Sequence, residues 1–417
     1  LLLPAAVIAC VFVALAALTF VPSDAYLPDA RRHFGEEDIA RGRQRSFEGR
    51  LLFWASQAVT LAVLLTLVCG GWARPLADAA DRLTGGRWLA TAMLVAAAVF
   101  AAERLLHLPL DVLGGWWLPR RWGLSQRDLA DWFTDYAKGL VLSAGIGLLL
   151  LAGFYGLMAW LPRWWWAAAA AGGTAFAVIG ATLMPVLITP LFNTFTPLRE
   201  TKWAALQPRV EVLVAEAGIP VGEVLVMDAS RQGSHTNAYF IGFGSTRRIV
   251  LWDTLLIEHP PDEVISILAH EIGHWRHDHI VKGLALGAVG GLAGMLGLWL
   301  ALNSEAVQRA VGFAGPTDPA AFPLILLLGF LASWAVRPVE NAVSRHFERQ
   351  ADAASLELAR MPAVFIEAER RLTRVNIGNV TPSPWNVWLF ASHPPAVERI
   401  AMAEAAEESG GRVKTDR

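Results

Sequence analysis

A mostly α-helical, polytopic membrane protein carrying a small α+β unit is the fold class that this sequence predicts, on three observations. Hydrophobic residues make up 54% of the 417 positions and charged residues only 17%, below the quarter or so usual in soluble domains. Seven apolar runs approach or reach the roughly 20 helical residues that cross a hydrocarbon core about 30 Å thick. Between Glu200 and Lys282 this pattern yields to the shorter periods of a water-facing unit.

The predicted spans are Leu2–Val21, Leu51–Trp72, Trp88–Leu110, Gly139–Leu161, Trp164–Leu187, Val281–Leu302 and Ala321–Val336. The first lacks an Ala-x-Ala cleavage pattern and reads as an anchor rather than a removed signal peptide. The last is short, and Arg337-Pro338 is expected to close it abruptly. Trp116, Trp117, Trp160, Trp164, Trp165 and Trp166 cluster at run ends, where an amphipathic ring suits the membrane interface. Arginine is concentrated in the first loop (Arg31, Arg32, Arg41, Arg43, Arg45, Arg50) and the third (Arg120, Arg121, Arg127). The odd loops should therefore face the cytoplasm, together with the stretch after span five and the tail after span seven. A net charge of -2 supplies no basic field for nucleic acid. Cys10 and Cys69 lie within apolar runs and read as buried thiols in helices.

In the polar stretch, Trp203–Ala217 reads as an amphipathic helix, Gly222–Met227, Asn237–Gly242 and Arg248–Trp252 as strands, and Pro261–His279 as a helix. After Pro338, one polar helix runs to about Leu358 and another spans Pro362–Val375. The expected organisation is a membrane region over 1–190, a first catalytic part over 191–280, spans six and seven over 281–338, and a second catalytic part over 339–417.

His270-Glu271-Ile272-Gly273-His274 lies inside the last predicted helix of the first part. Residues four apart share a helix face, so two imidazoles can converge on one zinc ion while Glu271 reaches a metal-activated water. Such zinc needs a third protein ligand and an open position. His277 is excluded, because seven residues at 1.5 Å each put it about 10 Å from His270 along the axis. His277, Asp278 and His279 are expected to be interfacial residues before span six. The better candidate is Glu348, which shares a helix face with Asp352 four residues on, so that one can bind metal while the other orients a ligating histidine; by spacing alone, a face flanked by Arg345 and Arg349 is more often a solvated helix with local ion pairs.

These segments resemble the type I CAAX prenyl proteases, integral-membrane gluzincin zinc endopeptidases with seven spans. The resemblance extends beyond His270–Trp275 and Asn341…Ser344-Arg345…Glu348…Ala351-Asp352 to Met184-Pro185, Pro190–Asn193, Ser234–Tyr239 and His393-Pro394-Pro395…Glu398-Arg399. It implies one zinc per chain on His270, His274 and Glu348, Glu271 as general base, and Asp352 supporting a ligand. It further implies Asn237 and Ala238 on an edge strand to which an extended substrate adds, His393 stabilising the tetrahedral oxyanion, and Arg399 supporting that corner. A water-filled chamber ringed by the spans is implied too, with Glu103, Arg104 and Asp111 lining it or serving structure. The expected activity is zinc-dependent endopeptidase cleavage near the C-terminus of a prenylated or membrane-associated polypeptide. Abundant Arg with lysine only at Lys138, Lys202, Lys282 and Lys414 resembles bacterial proteins, which points to the inner membrane. Quality-control cleavage of misfolded membrane proteins is the competing expectation, and a transporter or receptor with structural zinc the more distant one.

Overall fold

The computed structural model describes residues 1–183, 187–218, 222–233, 235–241 and 248–409. Met184, Pro185, Ser234 and the predicted strand end at Gly242 lie outside the described residues.

The chain is mostly helical. Apolar α1 (Leu2–Thr19) is followed by short α2 (Leu27–His33) and the 34-residue α3 (Glu36–Cys69). Next come α4 (Ala73–Thr84) and α5 (Trp88–Val112), which passes through a π-helical stretch into α6 (Leu118–Arg121). Two apolar helices follow, α7 (Leu129–Trp160) and α8 (Trp165–Leu183). The water-facing unit then begins with strand β1 (Phe195–Pro197), helix α9 (Gln207–Glu216), strands β2 (Glu223–Met227), β3 (Ala238–Ile241) and β4 (Arg248–Trp252), and helices α10 (Asp253–Glu258) and α11 (Pro261–Arg276). Apolar α12 (His279–Leu302), short α13 (Glu305–Val311) and the 38-residue α14 (Phe322–Ala359) lead to α15 (Pro362–Val375), α16 (Pro384–Phe390) and α17 (Ala396–Glu408). Six helices among the described residues are long and apolar enough to cross a bilayer. The fifth predicted span contains α8; its residues 184–186 lie outside the described residues.

Four expectations are corrected. Arg337-Pro338 does not end the seventh span: α14 runs through Pro338. A proline there removes one backbone donor, and the turn just before it is packed against α3. Trp334 stacks on Trp54 with centroids 5.0 Å apart, and the Arg337 guanidinium lies 5.1 Å from the Trp334 ring centre. The Pro261–His279 helix ends at Arg276, because Asp278 takes a left-handed conformation (φ 53°) and starts α12 in a new direction. Trp165 is fully buried against Phe154 rather than interfacial, whereas Trp160 is 84% exposed. Cys10 lies on the outer face of α1, a helix apolar all round, so it is exposed rather than buried.

In the water-facing unit the sheet order is β1-β2-β4-β3, with β2 and β4 parallel and both outer pairs antiparallel. Alternation along β2 sends Val224 and Val226 into a core with Ile249, Leu251, Leu268 and Ile272, and Leu225 and Met227 to the opposite face. The first core therefore seats α11 on the sheet. Within the helical region, α5, α7, α8, α12 and α14 bound a cavity of ≈ 1290 Å³ lined by Gly, Ala and large apolar residues. Among the described residues of that lining, Ser143 carries the only hydroxyl. Glu103 pairs with His107 (3.2 Å) and Arg104 with Asp111 (3.7 Å), so each membrane-embedded charge has a partner one or two helical turns away.

Candidate metal centre

Pro261 at the first helical position, with Asp262 and Glu263 in the first turn, gives α11 a favourable start. Its deepest face meets α14 at Gly273, where the backbone of Ala351 comes so close that a Cβ on Gly273 would lie 2.8 Å from Ala351 Cα. That approach brings the two helices' polar side chains together. His270 Nε2 and His274 Nε2 are 3.1 Å apart, Glu348 Oε2 is 3.3 Å from the former, and Glu348 Oε1 is 3.4 Å from the latter. A tetrahedral ion with bonds of about 2.0–2.1 Å needs ligand atoms about 3.3 Å apart. Glu348 Oε2 is buried and makes no hydrogen bond, an orphaned acceptor that a cation would satisfy. Two neutral-capable imidazoles and one carboxylate are the donor set of a catalytic metal site with a remaining open position. The residues fit a metal.

The far nitrogen of His270 faces Asp352, with Nδ1 and Oδ1 2.7 Å apart. Asp352 is wholly buried and is gripped by Arg399, whose Nε donates to Oδ2 at 2.8 Å and whose Nη2 donates to Oδ1. Arg399 Nη1 donates to Glu369 at 2.9 Å, a buried carboxylate that the sequence reading did not single out. Burial disfavours charge on His270, yet the adjacent carboxylates of Asp352 and Glu348 push it up to about 10; they favour a positive charge at this spot. Against the cost of burial, Asp352 and Glu369 hold the Arg399 guanidinium well above its ordinary pKa. Burial raises Glu271, with the two imidazoles of His270 and His274 opposing the shift.

His393 sits between α16 and α17, 59% exposed, with Nε2 3.3 Å from Glu348 Oε1. Its loop is held by two residues of α14: Arg345 Nη1 donates to the carbonyls of Val387 (2.8 Å) and Ala391 (2.7 Å), and Asn341 Nδ2 donates to Leu389 O (2.7 Å). Arg345 thus fastens the His393 loop instead of forming the local ion pair weighed from the sequence. Arg349 lies 3.8 Å from Glu398 in the neighbouring helix. Ala238 belongs to β3, an edge strand, and Asn237 precedes it; Trp252 N–H donates to Asn237 O at 3.1 Å. A cavity of ≈ 130 Å³ touches Asn237, Ala238, Glu271, His393 and Arg399, so every predicted site residue except Asp352 and two of the three ligands borders one space.

His279 is the residue that the sequence reading misplaced. It is buried, and its Nδ1 lies 3.0 Å from His274 Nδ1. The left-handed turn at Asp278 brings it back beside the site, and no periodic signal announces such a turn.

The N-terminal part matches the family model "CAAX prenyl protease N-terminal, five membrane helices" over residues 16–194, and the remainder matches Peptidase family M48 over residues 200–407. The chain belongs to peptidase family M48. A CAAX prenyl protease 1 homolog of Oryza sativa subsp. japonica is 30% identical over 75% of this chain and 72% of its own length. An uncharacterized metalloprotease of Bacillus subtilis is 29% identical over 94% of this chain and 93% of its own. The crystal structure of S. mikatae Ste24p superposes with a TM-score of 0.81 at 25% identity, covering 95% of this chain and 97% of that one. This M48 chain is a multi-pass membrane metalloendopeptidase, so its substrate is a polypeptide and its surroundings a lipid bilayer.

Proposed function

We propose that the chain is a zinc endopeptidase that cuts extended polypeptides near a prenylated C-terminus. The convergence of His270, His274 and Glu348 within reach of Glu271 carries the reading. Zinc, when bound, supplies Lewis acidity for the scissile carbonyl and lowers the pKa of water toward ~7. Glu271 takes the proton from the attacking water and delivers it to the leaving amine; its raised pKa suits a group that must both accept and release a proton. Asp352, backed by Arg399, keeps the His270 ring in one orientation and tautomer. His393 donates to the developing oxyanion from the exposed side of the site.

Substrate is held at β3. Because Asn237 O is used by β4, strand alternation turns the Ala238 carbonyl to the open edge, where a further strand can add. Such main-chain pairing is indifferent to side-chain identity, which suits a protease. The printed names of the plant and yeast relatives support a prenylated substrate. The arginine-rich odd loops support a cytoplasmic site, and composition supports the bacterial inner membrane. Membrane segments over 1–190 and 281–338 would then frame catalytic parts over 191–280 and 339–417.

The test uses protein purified with zinc, a farnesylated CAAX peptide, its unprenylated counterpart and an unfolded membrane protein. Preferential cleavage of the farnesylated peptide is expected; cleavage of the unfolded protein alone would replace this substrate class with quality control. Glu271→Gln should reduce cleavage by about 10²–10⁴-fold at unchanged metal content, and an unchanged rate would refute the assigned base. A reporter fused after Arg417 should respond on the cytoplasmic side, and a signal from the opposite side would reverse the orientation.

A further inference from the structure

The two histidines that face the metal position are backed unequally. His270 leans on a carboxylate, Asp352. His274 leans on another imidazole, that of His279, the first residue of α12. His279 in turn meets Gln350 through Nε2 at 2.9 Å. Gln350 stands two residues after Glu348 on α14, so the contact ties the end of α11, the start of a membrane helix and the third-ligand helix into one line. The His279 ring is also clamped: Phe347 stacks on it at 4.2 Å and 9°, and His277 lies at 5.6 Å and 15°.

Hydrogen-bond logic assigns one pattern to this line. A histidine that gives Nε2 to a metal keeps its proton on Nδ1 and must donate it. His274 Nδ1–H therefore donates to His279 Nδ1, which accepts. His279 then carries its proton on Nε2 and donates it to the Gln350 amide oxygen. Every polar atom in the chain of contacts is satisfied in that direction, and reversing it would leave His274 Nδ1 without its proton.

We propose that His279 is the positioning residue of His274, accepting its Nδ1–H and passing the constraint to Gln350, so that the first turn of α12 fixes the geometry of the metal centre. The inference rests on the metal reading above and concerns a residue outside the ligand set. It separates two roles that the burial of His279 alone leaves merged: acceptor and packing ring.

Two substitutions in the full-length protein distinguish them. His279→Asn keeps an acceptor where Nδ1 stands and loses the stacked ring; His279→Phe keeps the ring and loses the acceptor. Zinc affinity is read by chelator competition and metal content, with unfolding of the metal-free proteins as the folding control. His279→Phe should weaken zinc binding about 10–100-fold, while His279→Asn should stay within about threefold of wild type by the same scale. Wild-type affinity in His279→Phe, or equal losses in both variants, would overturn the proposal. Should His279→Phe fail to fold, Gln350→Leu removes the acceptor behind His279 and leaves the ring stack; weaker zinc binding supports the relay, and unchanged binding rejects it. Glu348→Ala serves as the independent control: zinc retained at one equivalent in that variant overturns the metal reading itself, whereas zinc lost there but unaffected in the His279 and Gln350 variants overturns this inference alone.

Discussion

Glu348 and Asp352 stand four residues apart on α14 and differ in what backs them. Glu348 presents both oxygens to the imidazole nitrogens, and one of them makes no hydrogen bond. Asp352 has both oxygens taken by Arg399 and one shared with His270. Removing Arg399 would leave a buried carboxylate with a single imidazole partner, a costly arrangement. Arg399→Ala should therefore weaken metal binding about 10–100-fold, and Arg399→Lys should restore little, since an ammonium lacks the planar fork that meets both Asp352 oxygens and Glu369 at once. Metal content after dialysis against a chelator checks both, and wild-type retention in Arg399→Ala would show that Asp352 is held some other way. The pairing of Glu348 with Asp352 was legible in the sequence because i,i+4 spacing is local. Glu369 and His279 were not, because each reaches the site through a turn whose direction no periodicity encodes.

At the scale of elements, the centre depends on how closely α11 and α14 approach. Gly273 sits between Ile272 and His274 and meets the backbone of Ala351 and the side chain of Ala354. A methyl group there would fall 2.9 Å from Ala351 O and from Ala354 Cβ, so the helices must separate. Overpacking of this kind costs about 1–3 kcal/mol, and a separation of a few tenths of an ångström also pulls Glu348 away from the histidines. Gly273→Ala should lower both the unfolding temperature and metal affinity, although it touches no ligand; isothermal zinc titration with a parallel melt would show it, and a variant that melts lower but binds zinc normally would uncouple the two. Helix boundaries inside this pair were the part of the fold least open to sequence reading. Pro338 reads as a stop, yet α14 continues because Trp334 and Arg337 are packed against α3. His279 reads as the end of α11, yet Asp278 breaks the helix first. At Pro338 tertiary contact overrides local propensity, whereas at Asp278 the break is a local left-handed backbone conformation.

Across the whole molecule, the helices that follow the metal centre are also joined to the amino-terminal segment. Ala30, Phe34 and Ile39 share a core with Phe365, Ile400 and Ala403. Tyr26 OH donates to Glu398 at 2.7 Å, and Arg43 Nε donates to Thr381 at 2.6 Å. A contact over more than 330 residues is invisible to a pass along the chain. One joint in this seam titrates. His33 is buried in α2, its Nδ1 accepts from Arg370 Nη2 at 2.8 Å, and its Nε2 lies 3.7 Å from Glu404. Burial lowers its pKa, Arg370 and Arg32 lower it further, and Glu404 and Asp29 oppose them. A folded-state pKa below the unfolded value of about 6.5 means that the unfolded chain binds the extra proton. The stabilisation is then complete above about pH 6.5 and declines as the pH falls below it. Protonation would also turn Nδ1 into a donor facing the Arg370 guanidinium. His33→Asn keeps an acceptor for Arg370 and cannot titrate, so its unfolding temperature in detergent should fall less than that of wild type between about pH 7 and about pH 5. Parallel slopes for the two proteins would place the acid sensitivity of the fold elsewhere than in this seam.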